Sequence, residues 1–565
     1  MSEHTYSRFL AALFTAGLAV SLIGIGWGLP NGDRTWAADS VGPMTPLSVA
    51  YHVFLENGFN SGYFYFKYPI GHQLVLASMQ APLVAFAYAR GDLDAIAPSY
   101  PYGFRSPEAY LTALSLIARV TSALAAAALL LLVAGIARRL GDPAGDPAVG
   151  IFAAWSALAN YPLVFYAHTS NVEVPYLLWA FLALYSTIRA VDESRPGWYL
   201  VLGVATAMAV STKEQVAGFL VLLPALIAIL HWTRAKRADD RALIPRGAAA
   251  GALAAALTCF VVNAGFFNPA GVLHRLQFLT HTLDPALRVR FAPYELPIDF
   301  VRHWTVGDEL DHAAQTAAAV VTSIGWPAAI AALAGLAVMA ATLPSRLPYV
   351  VAPLVGYYVF SLRILALVEI RYVMPIAILA SVPAAFFLAS LWQRGVAARA
   401  TACLIIGFGL LWSGEVLPML VDDARYDAER WMAPQLAQGK SVEVYQSWTY
   451  LPRWCGLPGV YAPAFDQITI ENVLGRSPDY IVLSSKAKEG ITMYPNPDWQ
   501  DGRGRMFERE ANRNLLEALE NGRLGYEKVA VFERPVLFRR ELITSLDPAI
   551  SVYARRRGEP KPGGT

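Results

Sequence analysis

Long apolar runs separated by short polar breaks fill the first three quarters of the chain. They lie near 9–28, 108–137, 148–167, 172–190, 198–212, 215–232, 247–267, 315–342, 348–362, 372–392 and 398–418. Each is at or near the roughly 20 residues that a helix needs to cross the apolar core of a bilayer. The pattern predicts a polytopic α-helical membrane protein of about 11 transmembrane helices, the first of them an uncleaved span. A further run, 69–89, is apolar but opens on Tyr68-Pro69 and carries His72 and Gln73. Beyond Val421 the period changes. SVEVYQ, DYIVLSS, YEKVAVFE and SVYARR read as strands, and 424–436, ITIENVLG and a stretch near 508–521 read as helices. That alternation predicts a small α/β domain.

The loops between the runs give an orientation. If 69–89 does not cross, one set of loops (138–147, 189–197, 233–246, 343–347 and 393–400) holds 12 Lys and Arg. The short loops of the other set hold only Lys213, Arg363 and Arg371. By the positive-inside rule the first set is cytoplasmic, and 69–89 is a juxtamembrane helix at the outer leaflet. The expected organisation is a transmembrane domain over 1–421 with a first external loop at 29–107, an extracytoplasmic α/β domain over 422–556, and a disordered tail at 557–565.

Composition narrows the class. Charged residues make up 16% and hydrophobic residues 55%, whereas soluble domains carry roughly 25% charge. Of the 88 charged residues, 40 fall in 422–565. A net charge of +2 gives no bulk attraction for nucleic acid. The three cysteines form neither a disulfide framework nor a metal-ligand spacing. No GxxxxGK[ST] and no GxGxxG after a strand occurs, so no nucleotide-binding fingerprint is present. Any activated substrate must be delivered by the membrane.

Candidate chemistry collects on the predicted outer face. The first loop opens GLPNGDRTWAADSVGP. Asp39 there is either part of a solvated turn or a carboxylate held at the membrane–water boundary as a general base. In YFYFKYPIGHQL, Lys67 is a snorkelling anchor or a phosphate-binding cation, with Tyr68 beside it. The turn AHTSNVEVP holds His168 and Asn171 as substrate-binding candidates. It also holds Glu173, which either serves a helix macrodipole or does chemistry at the lip of a helix pair. Lys213-Glu214 is a self-satisfied pair in a polar turn or the source of another cation. Arg371, near Arg363 and Glu369, is an interfacial anchor or a planar fork for phosphate oxygens. Two acidic sites and up to three basic ones on one face suit glycosyl transfer from a lipid-phosphate donor.

The order of these motifs resembles the GT-C superfamily of polyprenyl-phosphate-sugar-dependent glycosyltransferases, in the style of protein O-mannosyltransferases and bacterial aminoarabinose transferases. The carrying features are the acidic loop after the first helix, KYP at the juxtamembrane helix, the acidic turn before the fourth helix, and RYVMP. The resemblance implies an inverting hexosyl- or pentosyltransferase of the cell envelope, with Asp39 as base and Glu173 as a second catalytic carboxylate. It also implies Lys67 and Arg371 at the donor phosphate, where Lys213 is a further candidate cation from the residue reading, and a divalent Mg or Mn ion in some members. Where the family carries Asp-Glu, this chain has Asp39-Ser40. The implied partners are a polyprenyl-phosphate sugar, membrane lipid, and an acceptor glycan, lipid or protein. The rival reading is a transporter or flippase of lipid-linked sugars. It predicts internal repeats and midplane charges, and the sequence shows neither clearly.

Overall fold

The computed structural model of the chain describes residues 3–56, 58–94, 96–97, 99–141, 147–237, 247–291, 305–365, 368–445, 448–454, 456–463, 467–486, 509–538, 543 and 545–556. The predicted tail at 557–565 and parts of the basic loops, 142–146 and 238–246, lie outside the described residues. The chain forms two compact units, and neither is one continuous stretch. A helical unit comprises Met1–Ile25, Ser40–Gly91 and Leu114–Val416. A sheet-bearing unit comprises Gly26–Asp39, Asp92–Ala113 and Leu417–Thr565. Two segments of the predicted first loop therefore fold with residues far along the chain.

Each of the eleven apolar runs contains helix. Among the described residues six helices are long and apolar enough to cross a membrane: Thr5–Leu22, Pro107–Leu140, Glu173–Glu193, Glu214–Thr233, Met374–Trp392 and Val396–Ala437. Two runs are broken, which corrects the expectation of continuous spans there. The first, 148–167, is the pair Ala148–Leu158 and Tyr161–Ala167, bent by 70°. Asn160 caps the second helix of this pair by accepting from Leu163 N–H, and Pro162 cannot continue the first helix's ladder. The second falls within Val306–Ile324 and Trp326–Thr342, bent by 112°. Gly325, at φ 78°, supplies the left-handed backbone for that corner. Three further helices, Pro196–Thr212, Ala248–Val262 and Pro348–Leu362, are apolar but short. Among the described residues six helices, or eight spans if each bent pair counts as one, are long and apolar enough to cross, and the three shorter apolar helices account for the remaining runs.

Small residues let the short helices approach closely. A side chain added at Gly203 would fall 2.1 Å from the Gly251 carbonyl oxygen, so helices 196–212 and 248–262 touch through their backbones. The run at 69–89 forms helix Gly71–Ala89. Its polar residues His72, Gln73 and Gln80 are buried, so they face protein.

The sheet-bearing unit confirms the α/β expectation. Five strands, β1 (Val442–Tyr445), β2 (Val460–Tyr461), β3 (Tyr480–Ser484), β4 (Tyr526–Phe532) and β5 (Ile550–Arg555), stand in the order β2-β1-β3-β5-β4. β1 runs parallel to β2 and β3; β5 runs antiparallel to β3 and β4. Alternate residues serve opposite faces. Val442, Val444, Val482 and Val552 pack on Ala428, Met432 and Trp454, while Ile481, Leu483 and Tyr553 pack on Val473, Leu515 and Leu519. Of the aromatics clustered in its sequence, Tyr445 and Trp454 are core residues, whereas Tyr461 is 46% exposed.

Within this unit the segment 26–39 is pinned to the C-terminal part. Trp36 Nε1 donates to the Leu451 carbonyl at 2.8 Å, and Trp27 Nε1 donates to Asp423 at 3.0 Å. The Arg425 guanidinium lies 3.8 Å from the Trp36 ring centroid. The GLPNGDRTW sequence thus reads as a tryptophan clamp.

Candidate active site

The polar turn before helix Glu173–Glu193 is wholly buried: His168, Thr169, Asn171 and Glu173 each show 0% exposure. Glu173 opens the helix, where no side chain caps the free N–H groups, so the helix dipole favours its charge. Its Oε1 accepts from Lys213 Nζ at 3.0 Å. The sequence offered Glu214 as the partner of Lys213; the structure corrects this. The chain at Lys213 is extended, at φ −155° and ψ 115°, which separates the directions of adjacent side chains. Glu214 instead accepts from Arg275 Nε at 2.8 Å and from Nη2 at 2.5 Å.

Aromatic rings surround the Lys213 ammonium. Nζ lies 6.0 Å from the Tyr68 ring centroid, 5.4 Å from Tyr176 and 5.3 Å from Tyr372. Ring faces attract a cation and exclude water at once, and in such low dielectric the charge pair interacts strongly. Lys67 Nζ also sits 6.0 Å from the Tyr68 centroid, so Tyr68 is the common neighbour of two cations. Arg371 reaches the same group from the other side. Its Nε pairs with Glu369 at 2.5 Å and its Nη2 donates to Tyr372 Oη at 3.1 Å. The structure therefore brings Glu173, Lys213, Tyr68, Lys67 and Arg371 into one connected cluster. Glu173 Oε2 has no hydrogen-bond partner among the described residues.

His168 plays a different part. Its ring nitrogens lie 2.6 Å from the Val164 carbonyl oxygen and 3.0 Å from that of Val20. Both nitrogens are engaged with backbone, so the ring ties the turn to the first helix instead of presenting a nitrogen to a substrate. Asn171 is buried in the same turn. Ser170 next to it is paired with Val41: Val41 N–H donates to the Ser170 carbonyl at 3.3 Å, and Ser170 Oγ donates to the Val41 carbonyl at 2.7 Å. Asp39, two residues before Val41, holds a left-handed backbone at φ 57°, an uncommon state for a residue with a Cβ. It is the last residue of its segment of the sheet-bearing unit.

Beyond Tyr68 an open cavity of about 620 Å³, mouth included, is lined by Tyr63, Tyr65, Ile70, Val210, Ser211 and Leu276 among others. Arg275 stands in its wall, donating to the carbonyls of Tyr65 and Phe66 at 2.9 and 2.6 Å. The sequence reading missed Arg275. The available signal was a lone arginine in the largely apolar GVLHRLQFL. Among the described residues no three His, Cys, Asp or Glu side chains gather to hold a metal ion.

Residues 112–265, which include Glu173, Lys213 and Glu214, match the family model of dolichyl-phosphate-mannose-protein mannosyltransferase. Among solved structures, ArnT from Cupriavidus metallidurans bound to undecaprenyl phosphate is 14% identical, with a TM-score of 0.45 over 88% of this chain and 96% of its own. The archaeal oligosaccharyltransferase AglB from Archaeoglobus fulgidus, in complex with an inhibitory peptide and a dolichol-phosphate, is 11% identical, with a TM-score of 0.42 over 87% of this chain and 71% of its own. The protein O-mannosyltransferase Pmt1–Pmt2 complex of S. cerevisiae, bound to the sugar donor, is 16% identical, with a TM-score of 0.32 over 49% of this chain and 35% of its own. No curated protein matches the chain. The family match covers the stretch that builds the Glu173–Lys213 pair.

Proposed function

We propose that this chain is a multi-pass cell-membrane glycosyltransferase that moves a sugar from a polyprenyl-phosphate donor to an acceptor hydroxyl on the extracytoplasmic side, with inversion. The observation that carries the reading is the buried Glu173–Lys213 pair under three tyrosine rings, with one carboxylate oxygen unpartnered among the described residues. It lies inside the stretch that matches a lipid-phosphate-sugar-dependent family. The short basic loops support the sidedness.

In this reaction Asp39 takes the proton of the acceptor hydroxyl. The acceptor oxygen forms a bond to the anomeric carbon from the face opposite the phosphate, and the bond from that carbon to the phosphate oxygen breaks. The electron pair leaves with the polyprenyl phosphate. Lys67, Lys213 and Arg371 offset the charge that grows on the phosphate oxygens, and the surrounding rings keep water away, which strengthens each such interaction. Glu173 holds the Lys213 ammonium in place, and Asn171 and Tyr68 line the headgroup site.

The test is a transfer assay. Purified protein is given undecaprenyl-phosphate-linked mannose or aminoarabinose together with cell-envelope glycan, lipid and protein fractions. Transfer by the native chain and its loss in Asp39→Asn is the expected result. Directional movement of the sugar lipid with no transfer to any fraction supports the flippase reading and contradicts this one.

A further inference from the structure

Gln73 stands in the first turn of helix Gly71–Ala89, six residues past Lys67. It is 0% exposed, and neither its carbonyl oxygen nor its amide nitrogen has a hydrogen-bond partner among the described residues. Burying a carboxamide with nothing to bond costs about 1–3 kcal/mol, and native structures rarely carry such a cost without a reason.

The neighbours of Gln73 show where it stands. One and two turns further along the helix, Leu76 packs with Val41, Ala118 and Val172, and Gln80 donates to the carbonyls of Pro43 and Leu114 at 3.4 and 3.1 Å. Residues 73, 76 and 80 form one stripe at helical spacing. Along this stripe the segment from Val41 to Pro43 runs in the same direction as the helix. Val172, in the same cluster, immediately precedes Glu173, whose Oε2 is also buried and unpartnered. His72, adjacent to Gln73, feels the Glu173 charge. Two buried polar groups with unused bonding capacity thus flank one small region, on the helix that begins beside Lys67 and Tyr68.

Unused donors and acceptors of this kind are what a site needs to read hydroxyl groups. A pocket built to bond a substrate hydroxyl discriminates strongly against a ligand that lacks it, because the protein group is then left unpaired. A carboxamide offers both a donor and an acceptor, matched to a polyhydroxylated ring. We infer that Gln73 recognises the sugar carried by the lipid donor, its carboxamide hydrogen-bonding a ring hydroxyl while Lys67 and Lys213 engage the phosphate. The inference rests on the glycosyltransferase reading for the identity of the ligand.

The experiment compares equilibrium binding of bare undecaprenyl phosphate with that of undecaprenyl-phosphate-linked mannose and aminoarabinose, in the native chain, Gln73→Leu and Gln73→Met. The native chain is expected to bind one sugar lipid about tenfold more tightly than the bare phosphate. Both variants are expected to lose that preference while binding bare undecaprenyl phosphate as before. Their thermal melting in detergent should match or exceed that of the native chain, since an unpaired amide has been replaced by an apolar group of similar shape. A preference retained in the variants, one absent from the native chain, or equal weakening toward all three lipids overturns the proposal. Buried water alone at Gln73 gives the first of these outcomes. Absence of transfer by the native chain, with the binding preference intact and lost at Gln73→Leu, would instead sink the glycosyltransferase reading and leave the sugar contact standing.

Discussion

Among the described residues each unit buries an acid–base pair, and the two pairs are finished differently. In the sheet-bearing unit Asp423 and Arg425 both show 0% exposure, and every side-chain oxygen and nitrogen of the pair has a hydrogen-bond partner. Arg425 donates to both Asp423 oxygens and to the carbonyls of Thr449 and Ser545. Asp423 also accepts from Trp27 and from the backbone N–H of Arg425. In the helical unit Glu173 and Lys213 are buried too, yet Glu173 Oε2 has no partner among the described residues and rings surround the ammonium. A saturated pair specifies a fold. A buried pair with bonding capacity to spare holds charge ready for a ligand, at a cost in stability that only binding recovers.

This contrast can be broken by substitution, and the largest effect belongs to the saturated pair. Arg425→Met strands the Asp423 carboxylate in the interior and is expected to lower the stability of the sheet-bearing unit by about 3–5 kcal/mol, measured by denaturant melting or limited proteolysis. A fold unmoved by this change would erase the distinction. Next in size, Glu173→Gln combined with Lys213→Met removes both charges of the other pair together. Transfer is expected to drop about a hundredfold, or ~2.7 kcal/mol of barrier, while melting stays within about 1 kcal/mol of native, because no lone charge remains. Equal losses in stability and activity would make this pair structural too.

How much of this was legible in the sequence follows the same division. The apolar runs, the change of period after Val421 and the α/β order were readable because hydrophobic periodicity is local. Glu173 and Lys213 were readable as charges at helix ends. Their mutual pairing was not, since the adjacent Glu214 is the obvious partner by sequence and only the packed fold turns it to Arg275. The corner at Gly325 was hidden for a related reason: one glycine in an apolar run is compatible with a continuous helix until its φ is known. The tryptophan clamp on residues 26–39 depends on partners some four hundred positions away. Gln73 passed as one more polar residue in a juxtamembrane helix, because its missing partners are a tertiary fact.

A smaller effect sharpens the comparison by pH. Burial, and next the nearby Asp423 carboxylate, push the Asp547 carboxyl up to about 6, against a hydrogen bond from Ala424 N–H that favours the charged form. A carboxyl raised in the folded state binds its proton more tightly there than in the unfolded chain. Its contribution therefore weakens stability as pH rises from the ordinary carboxylate range through about 6. Asp547→Asn is expected to melt above the native protein at pH 7 and to converge with it near pH 4, as read by melting curves across that range. A constant gap between the two proteins at all pH values would show that ionisation of Asp547 is not the cause.

The most direct measurement of the central claim, that the unsaturated pair faces the donor phosphate, is the affinity of the full chain for bare undecaprenyl phosphate with and without Lys213. Lys213→Met is expected to weaken that affinity at least tenfold, about 1.4 kcal/mol, with Lys213→Arg recovering part of it. An affinity unchanged by Lys213→Met in folded protein would contradict the account.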